Sequence, residues 1–167
     1  LSQALGGGLH RLLRDRPGLR VLDKGRVSTG LSRADFFDWG PAVDALLAGQ
    51  PSQPPAQQPF DAAVVLLGTN DGQGLVEPET ARRAAFRTAA WREGYARRVQ
   101  GLVARFAARG VPVFWVGLPI MRDGPAAANA QYLNAIYAET AAAAGATFVP
   151  LWDLTAGPDS RYAPRRP

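Results

Sequence analysis

The sequence has no cysteine, a single histidine and a single lysine, and these shortages exclude several kinds of chemistry. Without cysteine there can be no disulfide bond, no thiolate nucleophile and no cysteine-bound metal ion. With His10 as the only imidazole, a histidine-based metal site within this chain is not expected either, because such sites usually combine several ligands. The chemistry of this chain therefore has to come from hydroxyl, amide, carboxylate and guanidinium groups.

Long apolar runs are also missing. No stretch approaches the roughly 20 residues that a helix needs to cross a bilayer, so no membrane span is predicted within this chain. Residues 1–13 carry arginines and glycines where the apolar segment of a signal peptide would lie. With 167 residues, 47% hydrophobic and 20% charged, the composition is that of one globular domain spanning residues 1–167.

The net charge is +5, and Lys24 is the only contributor to the positive charge that is not an arginine. A nucleic-acid-binding protein can be basic in this way. Here, however, the arginines are spread over predicted helical faces and form no basic run interleaved with aromatic residues. We therefore interpret them as a solvated surface, and nucleic acid is not expected as a partner.

Strand and helix patterns alternate along the chain. Apolar spacing and the positions of Gly and Pro predict the boundaries of each segment. The segment 72–87 is ambiguous, and 50–59, with four prolines and four glutamines, is predicted to be a surface loop within one domain. The predicted helices are 3–15, 41–49, 88–110 and one that includes 133–140, and the predicted strands are 19–23, 61–67, 111–117 and 146–152.

This alternation predicts an α/β fold, a three-layer α/β/α sandwich with a flavodoxin-like parallel sheet. In such sheets, ligands bind beyond the carboxyl ends of the strands. Four segments are predicted to lie there, namely 24–33, 68–76, 118–127 and the tail after residue 152. A nucleotide-binding domain would share these layers, but no Gly-rich phosphate loop follows a strand in this sequence.

One of these segments has an unusual sequence. In "VVLLGTNDGQ", residues 64–73, four aliphatic residues lead directly into Gly68, Thr69, Asn70 and Asp71. A buried strand that ends in polar side chains can direct them into a cleft. The preceding predicted strand is followed by a Gly/Ser/Thr-rich loop that contains "VSTG", residues 27–30.

These two motifs resemble the SGNH (GDSL-like) hydrolases. "GTND" is similar to the family block whose asparagine donates to an oxyanion, and "VSTG" is similar to the block that supplies a backbone N–H. Four longer segments resemble a bacterial SGNH-like subfamily: "STGLSRADFFDW", "LLGTNDGQ", "AAWREGYARRV" and "WVGLPIMR". By this resemblance Asn70 and Gly30 are expected to be catalytic, with Thr29 and Asp71 at the substrate; Asp71 could instead orient or cap the Asn70 loop.

The resemblance implies a serine hydrolase that cleaves an ester, such as an O-acetyl group on a carbohydrate or cell-envelope polymer, by hydrolysis or acyl transfer and without a cofactor. Its partner would be a small-molecule or polysaccharide ester. Export to the periplasm or the exterior is favoured over a cytoplasmic location. The alternative is a catalytically inactive SGNH-like domain that binds or supports another molecule.

The sequence departs from the family at both ends. Leu1 is similar to the leucine of the Gly-Asp-Ser-Leu motif, and no Asp-x-x-His segment follows "DSRYAP". We therefore expect a strand that ends in Gly-Asp-Ser before Leu1, a later segment carrying Asp and His, and a strand-wide space between residues 19–23 and 61–67. Ser2 is interpreted as a helix cap and His10 as an exposed residue. Two further expectations are a core position for Trp115 and Trp152, and a place at the edge of the cleft for Arg122 and Asp123.

Overall fold

The computed structural model describes residues 2–49, 60–77, 80, 82–157 and 162. The predicted loop at 50–59 and most of the tail after residue 157 lie outside the described residues. The described helices are α1 (Ser2–Leu13), α2 (Trp39–Ala48), α3 (Ala89–Ala107), α4 (Gly124–Ala143) and α5 (Trp152–Thr155). The strands are β1 (Ala63–Val65), β2 (Leu75–Val76), β3 (Arg83–Ala84), β4 (Val113–Val116) and β5 (Thr147–Val149).

Three of these strands form a parallel sheet in the order β1-β4-β5. The register aligns Val65 with Trp115 and Trp115 with Phe148. Parallel neighbours need long crossover connections, and here α3 connects β1 to β4 and α4 connects β4 to β5. The predicted α/β class, with a parallel sheet flanked by helices, is confirmed.

Helices α3 and α4 provide most of the core. Helix α3 begins at the side chain of Thr88, which accepts a hydrogen bond from the N–H of Trp91, and α4 begins in the same way at Asp123. Both helices pack against each other and against the sheet. The largest fully buried side chains lie mainly on these helices and on β4: Trp91, Tyr95, Leu133, Tyr137 and Trp115.

The ambiguous segment 72–87 contains a short antiparallel hairpin of β2 and β3. Arg33 forms an isolated parallel β-bridge with Val76. Strand β2 of the hairpin therefore lies beside the loop that contains Arg33. Helix α2 is capped by Asp38, whose side chain accepts from the N–H of Gly40, and Gly49, with φ 73°, follows its last residue. Helix α2 packs against α3.

The predicted strand at 19–23 is wrong. These residues have no regular secondary structure, and Leu19 and Leu22 are exposed. A strand is stabilised by hydrogen bonds to a neighbouring strand, and no described strand pairs with this segment. The apolar alternation of "LRVLD" is therefore not sufficient to form a strand here.

Strand β1 lies at one edge of the described sheet, where it pairs only with β4. Among the described residues no backbone hydrogen bond joins 19–23 to 61–67. The register also places Val64 beside Phe114. Both side chains are exposed, and Val64 has 48% of its surface accessible. The additional strand expected between 19–23 and 61–67 stays a prediction.

None of the described helices is both long enough and apolar enough to cross a membrane.

Candidate functional site

A cleft lies at the carboxyl end of β1, where ligands of parallel sheets commonly bind. Its volume is about 220 Å³, and it is lined by residues 26–29, residues 66–70 and Leu118. The first two segments are the loops that contain "VSTG" and "GTND". The fold therefore brings both predicted motifs to the same cleft.

The turn after β1 depends on Gly68. Its φ of 124° lies in a region that side chains other than that of glycine rarely adopt, and a β-carbon here would overlap the hydroxyl of Tyr137. The Gly68 carbonyl accepts a hydrogen bond from the N–H of Asp71 at 2.9 Å. This turn exposes Asn70 to the cleft and sends Asp71 inward.

Asn70 contacts the other motif directly. Its Nδ2 donates to the Thr29 carbonyl oxygen at 3.0 Å, and Thr29 Oγ1 in turn donates to the Arg26 carbonyl at 2.9 Å. One of the two amide hydrogens on Nδ2 is used in this bond, so the other is available to a ligand in the cleft. Ser28 adopts φ 60°, a conformation that costs on the order of 1–3 kcal/mol in a non-glycine residue.

Asp71 is fully buried and ties the two motif loops together. Its Oδ1 accepts from the N–H and the hydroxyl of Ser32, at 2.9 and 2.7 Å. Its Oδ2 accepts from the N–H of Leu31 at 2.9 Å and from the hydroxyl of Tyr95 at 2.7 Å. These four donors are the hydrogen bonds that a buried carboxyl group needs in place of water.

This burial bears on the role of Asp71. The sequence allowed it either to contact substrate or to orient the Asn70 loop. With no exposed surface and both oxygens occupied, the side chain is in the position of an orienting residue. Gly30 makes this position possible, because a β-carbon there would overlap the Asp71 carboxylate.

Helix α3 holds the 29–32 loop from a second direction. The Arg98 guanidinium donates to the carbonyl oxygens of Leu31 and Val76, and lies 3.5 Å from Glu77. Arg98 is three residues from Tyr95, so both side chains project from the same face of the helix. The Leu31 peptide is thus bound at its N–H by Asp71 and at its carbonyl by Arg98.

Two buried tyrosines complete the network. The Tyr95 and Tyr137 hydroxyl oxygens lie 2.8 Å apart, and Tyr137 also reaches the Leu67 carbonyl at 3.1 Å. Burial, and next the negative charge of Asp71, raise the pKa of both phenols well above the usual value of 10.0. Both tyrosines therefore stay protonated and neutral in the folded protein at neutral pH.

Gly30 itself does not line the cleft at the carboxyl end of β1, which we call the Asn70 cleft. It borders a second cleft of about 320 Å³ on the other side of its loop, together with Phe37, Trp39, Arg98 and Arg105. Ser28 and Thr29 are the members of the "VSTG" motif that line the first cleft. Thr29 is buried to 8% exposure, and its hydroxyl is bonded to the chain rather than directed to solvent.

The remaining predicted residues lie elsewhere. Asp123 caps α4 through a bond to the N–H of Ala126, and neither it nor the exposed Arg122 lines the Asn70 cleft. His10 is exposed on α1. Trp115 is fully buried as expected, whereas Trp152 is half-buried at the start of α5.

Sequence reasoning missed Ser32, Tyr95, Arg98 and Tyr137 as members of the network. In the sequence, both tyrosines fall within apolar stripes at helical spacing. A phenol within such a stripe needs a polar partner when it is buried, and this was the available signal. The part of the chain that the structure describes contains no group of three or more histidine, aspartate or glutamate side chains placed to hold a metal ion.

A family profile described as "Protein of unknown function (DUF459)" matches residues 1–167. The chain belongs to the DUF459 family. No curated protein matches it. In this DUF459 protein the "GTND" and "VSTG" segments therefore both lie within the matched residues, and the bond from Asn70 to Thr29 joins them at the cleft.

Proposed function

We propose that this DUF459 domain is the scaffold of an SGNH-type serine ester hydrolase, with Asn70 and a backbone N–H of the 28–30 loop as oxyanion donors. The observation that carries the proposal is the 3.0 Å bond between Asn70 Nδ2 and the Thr29 carbonyl. This bond fixes the amide at the cleft while leaving its second hydrogen available. An asparagine suits the role because its amide donates without titrating.

In the proposed reaction a serine hydroxyl attacks the ester carbonyl while a histidine accepts its proton. The carbonyl oxygen becomes negatively charged, and the donors at the cleft stabilise it by roughly 3 kcal/mol each. The alcohol then leaves with the proton from the histidine, and water hydrolyses the acyl-serine. By the resemblance to SGNH hydrolases, the serine and histidine belong to segments outside these residues.

The Asp71 network supports the proposal because oxyanion donors contribute most when they are fixed before the reaction. Four hydrogen bonds hold Asp71 between the two loops, and Tyr95 and Arg98 connect them to α3. This support gives the loops little freedom to reorient. The proposed substrate is a small-molecule or polysaccharide ester such as an O-acetylated carbohydrate, and the proposed location is outside the cytoplasm.

The test compares wild-type protein, carrying its natural flanking segments, with Asn70→Ala in hydrolysis of para-nitrophenyl acetate. We expect kcat to fall by roughly 10²–10³ with little change in KM, because the donor acts mainly in the transition state. Asn129→Ala is the matched control. It removes an amide that binds Arg87 and does not line the cleft, so its kcat should equal that of the wild type.

Labelling with a fluorophosphonate distinguishes the alternative, an inactive binding or structural domain. A nucleophilic serine forms a covalent adduct that intact mass detects, and Asn70→Ala should slow this labelling. Absence of both the adduct and turnover across a panel of acetyl esters would support the inactive domain. Wild-type turnover by Asn70→Ala would remove Asn70 from the mechanism even if the protein is an esterase.

A further inference from the structure

The lining of the Asn70 cleft is unbalanced in charge. Among the described residues that line it, Arg26 is the one charged member, and none is acidic. The other members are aliphatic side chains, such as Leu66 and Leu118, and hydroxyl or amide groups, such as Thr69 and Asn70. A ligand in this cleft would therefore meet an apolar surface, neutral polar groups and one guanidinium.

Arg26 is held by an aromatic ring rather than by a carboxylate. Its Cζ lies 4.6 Å from the centroid of the Phe37 ring, and its guanidinium has no ion pair or hydrogen bond to any other described residue. A ring contacts the face of a guanidinium and leaves the N–H groups at its edge available. Arg26 is thus oriented yet still able to bind an anion.

Four other arginines of the protein are engaged differently. Arg33, Arg92 and Arg105 each lie within 4.0 Å of an acidic side chain, and Arg98 is bonded to two carbonyls as well as being close to Glu77. Their positive charges are at least partly compensated within the protein. Arg26 has no such acidic partner among the described residues; it is a lining residue of the Asn70 cleft, and its guanidinium rests on Phe37, which borders the second cleft.

Arg26 and Asn70 are also connected through one residue. One hydrogen bond joins Asn70 Nδ2 to the Thr29 carbonyl, and a second joins the Thr29 hydroxyl to the backbone carbonyl of Arg26. The cation and the proposed oxyanion donor therefore belong to one cleft wall.

We propose that the ester bound in this cleft carries a carboxylate or phosphate near its scissile carbonyl, and that Arg26 binds this anion. The inference rests on the proposed hydrolase function and adds the chemical class of its substrate. A guanidinium recognises both groups through two parallel N–H···O bonds. The cleft volume of about 220 Å³ fits a short acyl group and one such anion.

The first experiment measures kcat/KM of the protein with its natural flanking segments on matched charged and neutral esters. The anion is placed in the acyl group by para-nitrophenyl hydrogen succinate and in the alcohol by para-acetoxybenzoate, with their methyl esters as neutral matches. A phosphate arm uses para-acetoxyphenyl phosphate. We expect Arg26→Ala to lower kcat/KM on charged esters by roughly 10- to 100-fold and to leave the neutral esters within about threefold.

Two further variants sharpen the result. Arg26→Lys keeps the charge but loses the two-pronged geometry, so the loss on charged esters should be intermediate. Arg97→Ala removes an exposed arginine of α3 that does not line the cleft, and it should match the wild type on every ester. A preference for the carboxylate arms or the phosphate arm identifies the anion.

The inference is overturned if Arg26→Ala lowers kcat/KM equally on charged and neutral esters, or lowers it on neither, while the wild type remains an active esterase. If the wild type hydrolyses no ester, the proposed function fails. The anion site is then tested separately, by measuring the binding of a charged and a neutral compound. NMR titration with monomethyl succinate and dimethyl succinate should then show tighter binding of the charged compound, lost in Arg26→Ala. Equal binding of both compounds would refute the anion site.

Discussion

Helix α3 is buried along one whole face, whereas helix α1 has no fully buried side chain among residues 4–13. Trp91 and Tyr95 of α3 have no exposed surface, and the helix packs against α2, α4, β2 and β4. Leu12 of α1 is 74% exposed, and the segment that follows α1 leaves Leu19 and Val27 exposed as well. Both helices carry apolar residues at helical spacing. The difference shows that periodicity specifies a helix, while burial depends on whether other elements meet its apolar face.

The largest difference between the two helices should appear when a large side chain is truncated. Trp91 stacks on Tyr95 at a centroid distance of 4.5 Å and donates from Nε1 to the Gln73 carbonyl at 2.8 Å. We expect Trp91→Ala to lower the free energy of unfolding by roughly 3–5 kcal/mol. Leu12→Ala should change it by no more than about 0.5 kcal/mol. Urea unfolding followed by circular dichroism measures both; similar losses would mean that α1 is packed as closely as α3.

The same contrast explains how far the sequence could predict the fold. The apolar stripe from Trp91 to Phe106, which begins after Thr88, is sufficient to predict α3, whereas the start of α4 at Asp123 was not predicted. The strand at 19–23 failed because its short apolar pattern contains no information about a pairing partner. The hairpin of β2 and β3 was not predicted, since its two-residue strands are too short to show a period.

The candidate site was predictable only in part. Asn70 and the 27–30 loop could be placed together because both were expected at the carboxyl edge of one parallel sheet. The bond to Thr29 and the inward direction of Asp71 depend on the turn at Gly68, which no periodicity describes. The contribution of Tyr95 comes from a helix that is remote in sequence from the loop.

A smaller effect should follow from removing a single hydroxyl from the buried network. Tyr95→Phe deletes the donor to Asp71 Oδ2 and the contact with the Tyr137 hydroxyl. We expect a loss of roughly 1–2 kcal/mol in the free energy of unfolding. The control is Tyr132→Phe, because the Tyr132 hydroxyl makes no hydrogen bond to the described residues and the ring is only half-buried. Equal effects of the two variants would show that the network contributes no stability of its own.

Alkaline pH tests the same network without mutation. The pKa values of Tyr95 and Tyr137 are raised in the folded protein, so the folded state keeps these protons while the unfolded state loses them above the ordinary value of 10.0. Stability from this source is complete below about pH 10 and falls above it, by up to about 1.4 kcal/mol per pH unit for each tyrosine.

Absorbance of tyrosinate during an alkaline titration provides the measurement. Two of the 4 tyrosines should ionise only when the protein unfolds. Urea midpoints measured between about pH 9 and 11 should stay constant up to about pH 10 and decrease above it, less steeply in Tyr95→Phe. Ordinary ionisation of all four in the folded protein would contradict the burial of this pair.

The smallest expected effects come from glycines on the two helices. A β-carbon at Gly8 of α1 or at Gly101 of α3 would meet no other atom within 4 Å. Gly101→Ala should therefore raise the free energy of unfolding by roughly 0.5–1 kcal/mol through helix propensity. We expect Gly8→Ala to slow amide exchange within α1 but to leave the unfolding midpoint unchanged. A shift of the midpoint in Gly8→Ala would show that α1 unfolds together with the core.

The burial of Asp71 has a consequence for the order of events in folding. Its carboxylate loses its water only when the 29–32 loop and α3 are both present to supply the four donors. Before that point, burying the charge is unfavourable, so these bonds should form after the rate-limiting step. Replacing Asp71 should then accelerate unfolding much more than it slows refolding. The cleft would be the last part of the domain to assemble and the first to open.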